Sequence, residues 1–338
     1  MIPRSHSSIE ESRWKKILAD SLNTPEKLAD YLALPAEMRL SLDAIIDKLT
    51  DFPLRVPKPY ADRMAKGDIN DPLLRQVLPD ARELSSSTVY VTDPLDEQGA
   101  NVIPGLLHKY KSRALLILNG SCPVHCRYCF RRHFPYQDNR NATRDWSRAI
   151  RYLASDDAIN EVILSGGDPL TCPDNYLRSL TDQLTTLPNI KRIRIHTRFP
   201  VVIPARVNQA LLDWLSDMPT KKVMVLHINH PNELDSNLAN ALWRLRQTDT
   251  LLLNQAVLLK GINDTEAIQT DLCEKLFEAG VLPYYLHLPD KVTGAEHFDL
   301  ETFTAQTIVH KLRANLPGFL VPRLVCEIPG QPSKTILC

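Results

Sequence analysis

From residue 113 onward, apolar and β-branched runs alternate with stretches whose apolar residues recur at helical spacing. The runs lie at 113–119, 161–165, 192–197, 222–229, 251–259 and 283–288, and each predicts a strand. Between them, 146–153, 175–184, 206–215, 234–245 and 265–279 predict helices, and Gly280 stands where the last would take its C-cap. Parallel neighbours need a long connection, usually helical, so these six repeats predict a parallel sheet of an α/β protein. The runs read as continuously apolar, which predicts a sheet covered on both faces. Periodicity leaves two windings open, a doubly wound open sheet or an incomplete barrel. In either, ligands gather at the carboxyl ends of the strands.

The flanks read differently. Residues 1–105 predict a helical N-terminal region, with helices at 14–22, 25–32 and 40–49 and a short one around 71–77. Residues 106–315 form the α/β body. The last stretch, 316–338, is rich in proline and glycine and predicts an ordered C-terminal tail, not another repeat.

Composition narrows the class. Of 338 residues, 43% are hydrophobic and 24% charged, as in an ordinary globular enzyme. Lys+Arg and Asp+Glu both total 40, so no basic surplus points to nucleic acid or an anionic membrane as a partner. The first residues lack the apolar core of a secretory signal, and no apolar run approaches the ~20 residues of a membrane span. The expected location is cytoplasmic.

Four of the seven cysteines are scattered singly (Cys172, Cys273, Cys326, Cys338), which is not a disulfide framework. The other three crowd together in Cys122-Pro-Val-His-Cys126-Arg-Tyr-Cys129, just after the first predicted strand. Iron–sulfur clusters and structural zinc sites ordinarily take four protein ligands, so three close thiolates leave one metal position open, as catalysis requires. A zinc knuckle completed by His125, His133 or a remote cysteine is the other use of these residues. Ser165-Gly-Gly-Asp168-Pro169 ends the second strand, and its glycines allow backbone to approach a ligand closely.

The cysteine triplet, with Tyr128 between its last two members, resembles the radical S-adenosylmethionine (SAM) superfamily. That resemblance implies a partial (β/α)6 TIM-like barrel, with a [4Fe-4S] cluster on Cys122, Cys126 and Cys129. It implies SAM chelated at the open iron, its amino group meeting the Gly166-Gly167-Asp168 turn, and a reductant such as flavodoxin or ferredoxin. One electron from the reduced cluster would cleave the sulfonium and release the 5'-deoxyadenosyl radical.

Longer stretches resemble the lysine 2,3-aminomutase family in particular. They are Asp93-Pro-Leu-Asp-Glu-Gln98, Pro104-Gly-Leu-Leu-His-Lys-Tyr110, Cys126-Arg-Tyr-Cys-Phe-Arg-Arg132, His230-Pro-Asn-Glu233, Asn254-Gln-Ala-Val-Leu-Leu-Lys-Gly-Ile-Asn-Asp264 and Pro283-Tyr-Tyr with Asp290 behind it. The likeness runs over roughly residues 70–336 and adds pyridoxal phosphate to the implied cofactors. In Cys326-Glu-Ile-Pro-Gly-Gln-Pro-Ser-Lys334 it makes Lys334 the Schiff-base lysine, in a loop less glycine-rich than the family's. Arg113 is implied to contact the phosphate, with Tyr110 and Lys109 beside it, and His230 and Gln255 to be further cofactor contacts. Arg131 is implied to grip the carboxylate of the substrate lysine. Asp290 and Glu327 would hold its far ammonium, Glu327 standing where the family has an aspartate. The implied reaction converts (S)-α-lysine to (R)-β-lysine by 2,3-amino migration.

Arg131-Arg-His-Phe-Pro-Tyr136, and a chain that stops four residues after Lys334, resemble the branch that supplies β-lysine to elongation factor P through a separate ligase. A catabolic lysine 2,3-aminomutase, or a radical SAM enzyme acting on another amino acid or a macromolecule, is the alternative.

Overall fold

The computed structural model describes residues 6–36, 52–85, 87–139 and 145–338, and the side chains from 13 onward within them. Ten strands form one sheet in strict chain order. They are β1 (Asn101–Ile103), β2 (Leu106–Tyr110), β3 (Arg113–Ile117), β4 (Glu161–Ser165), β5 (Arg192–Thr197), β6 (Lys221–Leu226), β7 (Thr250–Val257), β8 (Leu282–His287), β9 (Arg323–Cys326) and β10 (Thr335–Ile336). From β3 to β9 every neighbour pair is parallel. A doubly wound sheet reverses its order at a switch point; this one advances in one sense throughout and its end strands do not pair. The winding is therefore that of a partial barrel.

The six predicted strands all form, starting within one residue of expectation. Four predicted runs extend past their strands; Leu118, Ile228, Leu258 and Leu259, which follow three of them, are buried as core, and the Leu118 and Leu258 amides still donate to the Ser165 and His287 carbonyls next door. The predicted helices form as α3 (Ser147–Ala154), α4 (Asp174–Thr185), α5 (Gln209–Asp217), α6 (Ser236–Arg246) and α7 (Glu266–Glu278), behind α1 (His6–Ala19) and α2 (Pro25–Tyr31). α7 starts on Thr265, whose hydroxyl accepts from the Ile268 amide. It ends in a Schellman pair, Gly280 N to Phe277 O and Val281 N to Leu276 O, both 2.8 Å, with Gly280 at φ +75°.

Four expectations need correction. The strands are not covered alike on both faces: Ile193 and Ile195 of β5 face the helices, while Arg194 and His196 line an inner cavity. The tail is not merely a tail, since β9 adds a seventh parallel strand to β8 and turns back as β10. A further helix, α8 (Thr302–Asn315), precedes it. The region before residue 105 is not purely helical: Leu22, expected to close a helix, instead bridges Val56, and 71–77 yields only a 3₁₀ turn at Leu74–Gln76. The predicted helix at 40–49 lies outside the described residues.

One apolar core runs from Trp14 to Leu324, and the Trp14 ring meets Phe199 edge-on at 5.4 Å. No helix among the described residues is long and apolar enough to cross a membrane.

Candidate active site

The inner face of the partial barrel encloses a cavity of about 390 Å³. Cys122, Cys126 and Cys129 form its wall beyond the carboxyl end of β3, beside Gly166, Gly167 and Asp168 after β4. Gln255 of β7, Asp290 after β8, Glu327 after β9 and Lys334 just before β10 also face it. Lys109, Tyr110, Arg113 and Arg131 line it too, leaving one residue of the predicted set outside.

His230 does not belong to this lining. Its Nδ1 accepts from the Asn232 amide at 3.1 Å and caps the short turn Pro231–Glu233. The histidine of that stretch which reaches the cavity is His227, in hydrogen-bond contact with the Tyr128 hydroxyl at 3.2 Å.

The cysteine loop is held from outside. Arg55 donates to the Cys122 carbonyl at 3.0 Å, and the Arg127 amide donates to the Gln76 carbonyl at 2.8 Å. Arg127 also forks onto Glu83, which Arg132 shares. His125 is turned to the Pro53 carbonyl and stacked on Phe52, and His133 to the Thr293 carbonyl; neither lines the cavity, which tells against the zinc knuckle. Burial pushes the Cys122 thiol well up, with Cys129 and Cys126 adding to the effect, and raises Cys129 to about 11.

The two glycines of the turn are required by the cysteine loop as much as by any ligand. A Cβ on Gly166 would stand 2.5 Å from the Asn119 carbonyl, and one on Gly167 would strike the Ser121 carbonyl. The gap they leave admits two backbone bonds, Gly167 N to Asn119 O at 2.7 Å and Asp168 N to Ser121 O at 2.8 Å. Asp168 is itself saturated. Its carboxylate accepts from Thr197 Oγ1 and from the amides of Leu170, Arg198 and Phe199, and burial still lifts its pKa to about 6.

Elsewhere in the lining lies a ring of charge. Arg131 forks onto Glu97, both contacts at 2.7 Å, and also donates to Ser165 Oγ at 2.9 Å. Lys109 reaches Glu327 at 3.1 Å, and Lys334 Nζ reaches the other oxygen of Glu327 at 2.5 Å. Against the opposing effect of burial, Lys334 and Lys109 hold the Glu327 carboxyl down at about 2. Asp290 has no such close partner among the described residues, and burial lifts it to about 7. Arg113 lies over the Tyr110 ring at 4.2 Å and pairs with no carboxylate among the described residues.

Sequence reasoning missed Glu97, although its stretch was noted; only the fold shows it opposite Arg131. It also missed His196, His227 and His287, whose signal was their place at inward positions of, or just after, three strands. Burial lowers all three imidazoles, His227 to about 3, and Nε2 of His196 and of His287 is buried without a partner among the described residues.

Comparison with known proteins adds the family. Residues 116–250 match the Radical SAM superfamily. The chain is 47% identical to an L-lysine 2,3-aminomutase of Escherichia coli over 96% of its length and 94% of that protein's. It is 44% identical to the L-lysine 2,3-aminomutase of Haemophilus influenzae, over 99% and 98%. It is 32% identical to that of Clostridium subterminale, over 97% of this chain and 78% of the other. The chain belongs to the L-lysine 2,3-aminomutase family. It is therefore an isomerase of the radical SAM type, and the family's cofactors are a [4Fe-4S] cluster, SAM and pyridoxal phosphate. A solved radical SAM methyltransferase from Sphaerobacter thermophilus is a distant likeness, with TM-score 0.44 and 16% identity over 65% of this chain and 68% of that one.

The residues present fit those groups. Three partly buried thiols line one cavity, although among the described residues no group of three His, Cys, Asp or Glu side chains is already set to hold a metal ion, so the thiols fit a cluster by identity and place. Unpartnered imidazole nitrogens await polar ligand atoms, and a guanidinium without a carboxylate suits a phosphate.

Proposed function

We propose that this chain converts (S)-α-lysine to (R)-β-lysine, using a cluster on Cys122, Cys126 and Cys129 together with SAM and pyridoxal phosphate. The observation that carries the reading is that the thiols after β3 and the amine of Lys334, 205 residues beyond Cys129 in sequence, open into one 390 Å³ cavity. The bound cofactors supply the radical and the electron delocalisation that amino migration needs. The protein places and shields the reactants.

Lys334 would hold pyridoxal phosphate, with Arg113 and Tyr110 at its phosphate. Gly166, Gly167 and Gln255 would line the SAM site, where Asp168 acts by fixing the turn. Arg131 would fork onto the carboxylate of lysine, which requires Glu97 to share or yield the guanidinium. Asp290, the carboxyl left without an ammonium, would receive the far amino group of the substrate, while Glu327 steadies Lys109 and Lys334. Enclosure within the barrel keeps water and stray hydrogen donors away from the radical.

The finer role, supply of β-lysine for elongation factor P through a separate ligase, is supported by Arg131-Arg-His-Phe-Pro-Tyr136. A flavodoxin or ferredoxin would serve as reductant. An anaerobic assay with reconstituted protein, reductant, SAM, pyridoxal phosphate and α-lysine tests the activity. β-Lysine supports the proposal; 5'-deoxyadenosine without β-lysine points to a radical enzyme with another substrate.

A further inference from the structure

We propose that Arg198 is a positioning residue for the iron–sulfur cluster, donating to the Cys126 sulfur and, with its charge balanced by Glu233, setting the cluster's reduction potential. This rests on Cys126 being a cluster ligand.

Arg198 follows β5 and is 6% exposed. Its Nη1 lies 2.7 Å from Cys126 Sγ and 2.5 Å from the Tyr128 hydroxyl. Its Nη2 meets the Tyr60 hydroxyl at 3.0 Å, Gln76 Oε1 at 2.8 Å and Glu233 Oε2 at 2.9 Å. The backbone amide of Arg198 is tied to Asp168 at 2.8 Å. These anchors come from the N-terminal region, the cysteine loop, the turn after β4 and the turn after β6, so the guanidinium cannot swing away from the sulfur. Glu233 is itself fixed, accepting from the Asn229 and His230 amides. That is the task His230 serves here, at the foot of the network and outside the cavity.

The arrangement is polarised. The sulfur sits at one nitrogen of the guanidinium and the balancing carboxylate at the other, so the cluster lies nearer the positive charge than the negative one. Reduction adds one electron to the [4Fe-4S]2+ form, giving [4Fe-4S]+. A nearby buried cation and a hydrogen bond to a ligating sulfur both stabilise the more negative state and raise the potential. Removing the cation should lower it, and removing the carboxylate should raise it. A residue needed only for folding predicts neither.

The test is an anaerobic redox titration of the reconstituted holoenzyme, with titanium(III) citrate as one-electron donor and the [4Fe-4S]+ signal read by electron paramagnetic resonance. Iron and sulfide content are measured in parallel. For Arg198→Gln the ratio of reduced to oxidised cluster at a fixed potential should fall about tenfold, a 59 mV shift for one electron. Arg198→Lys should fall between Gln and wild type. Glu233→Gln keeps the guanidinium and should shift the potential upward, so it carries the test even where Arg198 variants fail to load. An Arg198 variant that loads its cluster and titrates as wild type overturns the role of Arg198, as does an unmoved or lowered potential in Glu233→Gln. A wild-type protein that never yields the cluster signal overturns the ligand assignment and the proposal with it.

Discussion

Glu83 is a side chain whose loss should be felt in both stability and cluster loading. It is fully buried between Arg127, also fully buried, and Arg132, whose side chain is 5% exposed. Its carboxylate takes three hydrogen bonds from the two guanidiniums, at 2.8, 2.5 and 2.8 Å, and a fourth from the Asp80 amide at 3.0 Å. Glu83→Gln removes the negative charge and leaves two buried cations facing each other. Breaking a buried pair by removing one partner costs about 3–5 kcal/mol. A domain's whole stability is about 5–15 kcal/mol, so a fifth or more of it is lost. The expected readout is a lower urea midpoint for the anaerobic apoprotein, with weaker cluster loading because the guanidiniums flank Cys129. Arg132→Met in the same background removes one uncompensated cation and should restore at least ~1 kcal/mol relative to Glu83→Gln alone. A loss under ~1 kcal/mol in the single variant, the size of an exposed ion pair, would refute the reasoning.

Three other predictions concern the cavity. Gly167→Ala drives a methyl group into the Ser121 carbonyl and to 2.7 Å from its carbonyl carbon, backbone that cannot rotate aside; a cost of about 1–3 kcal/mol and a clear fall in bound iron are expected, and normal loading would count against the turn's role in seating the cysteine loop. Lys334→Ala should keep the cluster and 5'-deoxyadenosine formation but lose protein-bound pyridoxal phosphate absorbance and β-lysine; retained β-lysine would sink the assignment of that lysine. Because Asp290 is lifted from near 4 to about 7, its ionisation opposes folding, so its contribution to apoprotein stability should fall as pH rises from about 4 to about 7. Asp290→Asn should remove that part of the slope in urea midpoints, and the KM for lysine should rise below about pH 7 as the carboxyl takes up its proton; identical pH profiles for variant and wild type would contradict this.

The sequence by itself determined the repeating core. Branched apolar runs and amphipathic helices leave little choice but six strand–helix units, because each element must bury one face and parallel strands need crossovers. It also announced the cysteine triplet and the Gly-Gly-Asp turn, since local spacing is enough to mark them. Tertiary structure alone decided what stands opposite what. β9 is only four residues long and fits any short tail until β8 offers it an edge. Glu97 and Arg131 are 34 residues apart, and Glu233 lies 35 beyond Arg198, so no window of local periodicity could pair them. His227 rather than His230 reaches the cavity because the loop after β6 turns the first inward and uses the second to cap the next turn. The inner face, read from sequence as apolar, also carries Arg113, Arg194, His196 and His287, because a partial barrel has a lumen to fill with ligand. Only the curvature of the winding shows which side that is.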